Sequence, residues 1–410
     1  MKKKLPIVLF LTGSLLLFGQ NRVTIEITSE PEMKTNASII LVAEKNAFVE
    51  QFSKQLVKDL EYSDWFNIRK ATFKENIKVD AELDNAFKEN ISILIVCRIR
   101  EDFKIEVYDS VEKTMLFTFS VDKGNSPEYL AHVVCDEIVY RITGKPGIAK
   151  SKILFVTKKG NLYSIIMTDY DGSNQIEVIS TPYIINFPRW FPEKGKIVFL
   201  SYRKVFPTLD VLDLKTKQIQ TFLGEPGLNA CISFFRKQQM AAAVLSRSGN
   251  PDIYLVDLKG NILRRLTEKR GINASPSVSP DENNIAFVSD RDGKPRLYIM
   301  NQFGLNLRKI DIPSNYITAP AWSPDGKYIA YAVRYGTEML IEIYDFNTGK
   351  RKILTRGKSW SDGPSWAPDS RHLLFTNQEK YINSIWAIDI YTLKTRKIAD
   401  NAWSGCWDIR

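Results

Sequence analysis

Histidine is the scarcest reactive side chain in this 410-residue sequence, present only as His132 and His372. Histidine is the usual general base and metal ligand near neutral pH, so two isolated copies leave little room for a histidine-based triad or metal centre. His132 falls in a helical stretch and His372 opens a strand in "SRHLLF"; each reads as a structural histidine with its ring nitrogens satisfied. The chain also lacks G-x-S-x-G, H-E-x-x-H, C-x-x-C, a P-loop and a G-x-G-x-x-G behind a strand. Those absences remove the common hydrolase, zinc, redox and nucleotide signatures. No catalysis, no cofactor and no bound metal are expected.

Cysteine is nearly as rare. Cys97, Cys135, Cys231 and Cys406 match neither a dense disulfide framework nor a zinc spacing, and both buried thiols and a bridge stay open. Long apolar runs are missing except for one. Behind "MKKK", Leu5 to Phe18 is an uncharged run of 14 residues, short of the roughly 20 that a bilayer span needs. A basic start followed by such a run reads as a secretory signal peptide over residues 1–20, with an uncleaved anchor as the alternative. The remainder is expected to be exported, peripheral to membranes and monomeric. A formal net charge of +10 is spread along the chain with acids between the bases. That pattern describes a solvated surface and gives no nucleic-acid stripe.

A phrase that recurs dominates the rest. "PAWSPDGKYIAYA" from Pro320 has relatives opening at Pro188, Ile232, Pro276 and Pro364, each step being 44 residues. Large or apolar residues keep the position two further on, at Trp190, Phe234, Val278, Trp322 and Trp366. Asp169, Asp213, Asp257, Asn301, Asp345 and Asp389 close successive units at the same period. Within a unit, alternation at Ile329, Tyr331 and Val333 marks a strand, and "SPDG" marks a type I turn. Asp281, Asp325 and Asp369 therefore read as turn acids rather than calcium ligands. Four strands every 44 residues describe a β-propeller blade, and the units count to six. The first unit, around Ile153, lacks an opening strand, whereas "NAWSGCWDIR" at the chain end supplies a surplus one. The C-terminus is therefore expected to close the ring. The copy at Ile232 has lost its prolines and turn residues, so its loop should differ.

Residues before Gly144 do not share the period. "VTIEI", "ASIILV", "SILIVCRI", "FKIEVYDSV" and "KTMLFTFSV" read as strands, Phe48, Phe52, Leu56 and Leu60 mark one helix face, and a second helix runs from about Ser126 to Arg141. The expected organisation is α+β with two domains. A mixed α/β domain over 21–144 precedes a six-bladed propeller of four-stranded blades over 145–410.

"QLVKDLEYSDWFNI", "CDEIVYRITGKPGIAKSKILFV" and "TDYDGSNQ", in this order and followed by the "WSPDG" phrases, resemble the TolB family of the Gram-negative envelope. The resemblance implies a periplasmic, non-enzymatic adaptor of the Tol-Pal system, supporting envelope integrity and constriction at division. Its implied partners are the peptidoglycan-associated lipoprotein Pal, met by the propeller, and the inner-membrane protein TolA, met by the amino-terminal segment. The TolA-like segment here is Val23, Thr24, Ile25, Glu26 and Ile27, whose alternation suits strand addition to a partner's sheet edge or a place in its own domain. For the Pal-like face the resemblance points to the loops entering each inner strand. They carry Asn186, Asn229, Asn273, Tyr316, Thr318, Trp360, Asp362 and Trp403, a polar and aromatic set suited to an interface. The other reading is a propeller that binds a small ligand or sugar, or works as an enzyme, in its axial channel.

Overall fold

A computed structural model describes residues 34–100, 103–122, 126–268, 271–357 and 360–408. The signal-peptide expectation and the Val23–Ile27 segment lie outside them. The described residues of the N-terminal region hold five strands, β1 (Thr35–Val42), β2 (Phe66–Lys74), β3 (Ile93–Ile99), β4 (Phe103–Asp109) and β5 (Thr114–Val121). They form one sheet in the order β2-β1-β3-β4-β5. β1 runs parallel to both neighbours, and β3, β4 and β5 are antiparallel in turn.

Helices cover both sides of this sheet: α1 (Ala47–Tyr62), α2 (Val79–Lys88) and α3 (Pro127–Thr143). Ile39 and Leu41 of β1 join the core formed with α1 and α3, while Ile40 and Val42 pack with Leu83 of α2 on the other side. A central parallel strand covered twice explains why "ASIILV" is an unbroken apolar run. Asn46 caps α1 by accepting from the Val49 amide at 3.0 Å. Ser126 caps α3, and Gly144 ends it with φ +68°, a left-handed closure that suits glycine. β2 and α2 have no counterpart among the sequence expectations.

Six four-stranded sheets follow, and the C-terminal strand closes the ring as expected. Ala402–Trp407 pairs with Lys152–Lys159 of the first blade, Ala402 opposite Thr157 and Trp407 opposite Ile153. The inner strands of the next five blades are Ile185–Trp190, Asn229–Phe235, Asn273–Val278, Ile317–Trp322 and Ser361–Trp366. Every inner strand carries a register shift against its neighbour. At each shift one residue has positive φ: Phe187, Cys231, Ser275, Ala319, Gly363 and Ser404. Left-handed backbone costs a non-glycine residue roughly 1–2 kcal/mol, so this repeated bulge is held in place by the ring around it.

The turn acids act as read. Asp325 accepts from the Ser323 hydroxyl at 2.8 Å and from the Lys327 amide at 3.1 Å. In the blade whose phrase is degenerate, Glu282 from the next blade takes over, accepting from the Lys237 and Gln238 amides at 2.7 and 3.2 Å.

The N-terminal region packs on the ends of blades one, five and six. Its core is continuous with those of blades one and six: Ile138 and Ile142 of α3 share a cluster with Leu374, Ile385 and Trp407. Both histidines sit at this junction. His132 Nδ1 lies 2.7 Å from Asp59, whose other oxygen accepts from the Tyr170 hydroxyl at 2.7 Å. His372 is held between Asp369 at 2.6 Å and Asp64 of the N-terminal region at 3.1 Å. Lys34 also pairs with Asp64, Lys58 with Asp171, and Lys145 with Asp325. Arg396 donates to the Tyr62 carbonyl at 3.0 Å and lies over the Tyr62 ring. Asp136 accepts from the Ala149 and Lys150 amides at 2.8 and 3.2 Å, tying α3 to the connection into blade one. A Cβ at Gly147 would lie 2.2 Å from Asp136 Oδ1, so that connection needs glycine.

Two predictions follow from closure and junction. Trp407→Ala removes a fully buried indole from the shared core, and equilibrium denaturation should show a loss of about 3–5 kcal/mol. A loss below about 1 kcal/mol would mean that the last strand does not hold the ring. The second concerns pH. Burial lowers the pKa of each imidazole, but the carboxylates outweigh it, Asp59 for His132 and Asp369 with Asp64 for His372, against a smaller opposing effect of Arg396 on His372. Both pKa values end above the ordinary one, so their stabilisation is complete below about pH 6.5 and is lost as pH rises through the higher folded values. Burial also pushes the Asp136 carboxyl up to about 6, which lowers stability as pH rises from about 4 to that value. Calorimetry should therefore find the melting temperature falling from pH 6 to 9, with His372→Gln flattening the slope. An unchanged slope would refute the assignment.

Candidate partner-binding face

Each inner strand starts on the propeller face away from the N-terminal region and ends beside it. The orientation follows from the junction: Asp325 and Asp369, in turns after inner strands, reach Lys145 and His372, and His372 in turn reaches Asp64. The loops entering the inner strands therefore open on the far face. The residue before each of five consecutive inner strands is Ile184, Leu228, Ile272, Tyr316 and Trp360, again 44 apart. Ile184, Ile272, Tyr316 and Trp360 are exposed, Ile272 by 50%. Phe187 and the loop residues Tyr202, Val205 and Phe206 are exposed as well. Large exposed apolar groups thus recur at the entry of four inner strands on the far face, the type of side chain that interaction surfaces carry.

The residues expected at this face separate into two sets. Asn186, Thr318, Trp360, Asp362 and Trp403 line one cavity of about 500 Å³ within the ring of inner strands. Tyr316 stands on the rim beside it. Asn229 and Asn273 do not belong to the face and are fully buried. The Asn229 amide donates to the carbonyls of Pro207, Glu225 and Gly227. Asn273 donates to Asp252 at 2.9 Å and accepts from Arg291 at 2.7 Å. The cause is strand parity. Asn229 and Asn273 occupy the first position of their inner strands, where Ile185, Ile317 and Ser361 are also fully buried. The channel-lining Asn186, Thr318 and Asp362 occupy the second, and successive residues of a strand face opposite sides. The rim residues Ile184 and Ile272 were missed, although counting the 44-residue period one position upstream of the strand would have found them.

The mouth and floor of the channel differ in charge. Asp362 is the one acid lining this cavity among the described residues, whereas Arg189 and Arg236 lie deeper in blades two and three. Asp362 accepts from the Gly363 amide at 2.7 Å, and burial pushes its pKa up. Ser404 donates to Asn186 at 2.6 Å, joining the closing strand to blade two across the mouth.

Elsewhere, Asp64, His372 and Asp389 bring three ligand atoms within 4.8 Å of one another. That trio is already neutralised, because Lys34 pairs with Asp64, Arg371 with Asp389, and His372 bridges to Asp64. An added cation would have to displace these charges, so the trio reads as the junction's ion network. All four cysteines are free thiols. Cys97 and Cys135 are wholly enclosed, and burial pushes both thiols well above their ordinary pKa, which leaves them unreactive.

The sequence model of the TolB beta propeller domain matches residues 139–405, more than half of the chain. The Tol-Pal system protein TolB of Nitrosomonas europaea is 31% identical over 132 residues, covering 32% of this chain and 31% of that one. The protein of the same name from Bordetella avium is 32% identical over 121 residues, 29% of this chain and 27% of that one. The chain thus spans about a third or less of the length of the curated relatives it matches. The crystal structure of TolB from Acinetobacter baumannii superposes with a TM-score of 0.79 at 23% identity, covering 93% of this chain and 98% of that one. At that identity the superposition speaks for the fold, an α/β region joined to a six-bladed propeller. With the domain match over most of the propeller and the two-part architecture in common, the chain belongs to the TolB β-propeller family.

Proposed function

We propose that this chain is a periplasmic, non-enzymatic adaptor of the Tol-Pal system, with a signal peptide over 1–20 and domains over 21–144 and 145–410. In this reading the propeller face away from the N-terminal region docks the outer-membrane lipoprotein Pal. The segment Val23–Ile27 engages the inner-membrane protein TolA by strand addition. Together they connect the two membranes during envelope constriction.

The observation that carries this reading is the apolar rim of Ile184, Ile272, Tyr316 and Trp360 around a channel mouth on a rigid ring. Recognition surfaces are commonly loops held by such scaffolds, and large aromatic anchors contribute most of an interface's binding energy. The relatives' names, Tol-Pal system protein TolB, supply the system. Among the described residues no helix is long and apolar enough to cross a membrane, consistent with a peripheral protein. The channel-facing members of the expected set, Asn186, Thr318, Asp362 and Trp403, would supply polar contacts inside the rim, with Tyr316 and Trp360 as its anchors.

Affinity capture from a detergent-solubilised envelope tests the reading, with residues 21–410 as bait beside a version starting after Glu32. Both baits should retain a peptidoglycan-binding lipoprotein, and only the longer should retain an inner-membrane partner. Ile272→Glu and Trp360→Glu should each weaken lipoprotein binding at least about tenfold without lowering the melting temperature. Wild-type bait that holds no lipoprotein would overturn the function while leaving the fold intact.

A further inference from the structure

Four second residues of the inner strands line the channel cavity: Asn186, Thr318, Asp362 and Trp403. Three are neutral, and the fourth is a carboxylate. Asp362 takes part in no ion pair among the described residues, and the hydrogen bond it accepts comes from the Gly363 amide. Opposite charge is available in the same cavity, yet Arg189 belongs to blade two and Arg236 to blade three, on other sectors of the ring. Arg189 donates to the Pro188 carbonyl.

Two indoles share this side of the cavity with Asp362. Trp360, two residues earlier on the same chain segment, lines the cavity and remains 39% exposed. Trp403 comes from the neighbouring inner strand. Asp362 pairs with Thr376, and the Thr376 hydroxyl accepts from the Ser404 amide at 3.2 Å, which draws the Trp403–Ser404 backbone alongside. Thr376, Gln378 and Asn383 complete this sector of the wall. A buried carboxylate with no ion pair among the described residues is costly to hold charged. The same arrangement complements a planar cation, which can bind the carboxylate in two-pronged fashion and stack on indole faces.

We propose that the blade-six side of the channel mouth, formed by Trp360, Asp362 and Trp403, is a receptor for an arginine side chain of the docked protein. The proposal rests on the reading that this face docks a protein, and it specifies the chemistry of the inserted residue. Arginine suits the sector better than lysine, because a compact ammonium cannot stack on indole while meeting both carboxylate oxygens. Burial raises the Asp362 pKa, and an incoming guanidinium would restore the ionised form.

The test uses residues 21–410 labelled with 5-fluorotryptophan, the Trp360 and Trp403 signals being assigned through Trp360→Phe and Trp403→Phe. Acetyl-Gly-Arg-Gly-amide is titrated beside the Glu and Leu peptides of the same frame. The Arg peptide should shift both signals saturably, while the Glu and Leu peptides leave them in place. Asp362→Asn should weaken Arg-peptide binding by about tenfold or more, the size expected of a charged hydrogen-bonded contact, with an unchanged melting temperature as the folding control. Equal response to Arg and Glu peptides, or undiminished Arg binding by Asp362→Asn, would overturn the receptor. If the receptor fails while wild-type bait still captures the lipoprotein, the docking face stands and this sector's role falls. If the Arg peptide binds as expected and no lipoprotein is captured, the receptor stands for another arginine-bearing partner.

Discussion

Everything in the propeller depends on one antiparallel pairing, between residues at the chain's end and a strand some 250 positions earlier. Ala402–Trp407 lies against Lys152–Lys159, and without it the first blade would present an open edge. An unpaired edge strand is an invitation to foreign strands. The pairing also places Trp407 in the core that the propeller shares with the N-terminal region, where its indole donates to Ser151 at 2.7 Å. Ring closure and attachment of the N-terminal region are therefore one packing event. Such a contact carries a large loop-closure cost, which the rest of the ring must already offset when the last strand docks.

The junction gives the ring its direction. Asp59, Asp64 and Lys58 from α1 and its end meet Tyr170, His372 and Asp171 from the blades, and buried apolar residues fill the space between. Covering one face of the propeller leaves the other as the place where loops and rim side chains stay exposed. The bulge in every inner strand matters there. It shifts the pairing register at the third strand position, and the residue just before it lines the channel cavity in four of the strands, at Asn186, Thr318, Asp362 and Trp403. The same backbone irregularity, repeated six times, shapes the candidate binding surface.

Much of this was legible in the residues. The 44-residue period, the turn acids and the surplus tryptophan at the chain end led to blade count and closure, since repeats encode local strands and turns whose chemistry is short-range. β1, β3, β4 and β5 with α1 and α3 announced themselves by apolar runs or faces. β2 and α2 did not: "FNIRKATFK" keeps basic side chains on an edge strand, and α2 buries little beyond Leu83 and Ala86 and lacks a side-chain cap. The residues expected at the candidate face fall in two places: Asn186, Thr318, Trp360, Asp362 and Trp403 line the channel cavity, whereas strand parity buries Asn229 and Asn273.

By itself the sequence determined the blade, its number, its turns and the strand that completes the ring, because each depends on residues close together in the chain or on a strict count. Tertiary structure alone decided which side of the ring is covered, that both histidines sit between carboxylates at the junction, and that Asp362 faces the channel on a different sector from Arg189 and Arg236. Those facts arise between residues some 300 positions apart in the chain, such as the 308 between Asp64 and His372. No local pattern records such distances, because they are set by how whole elements pack.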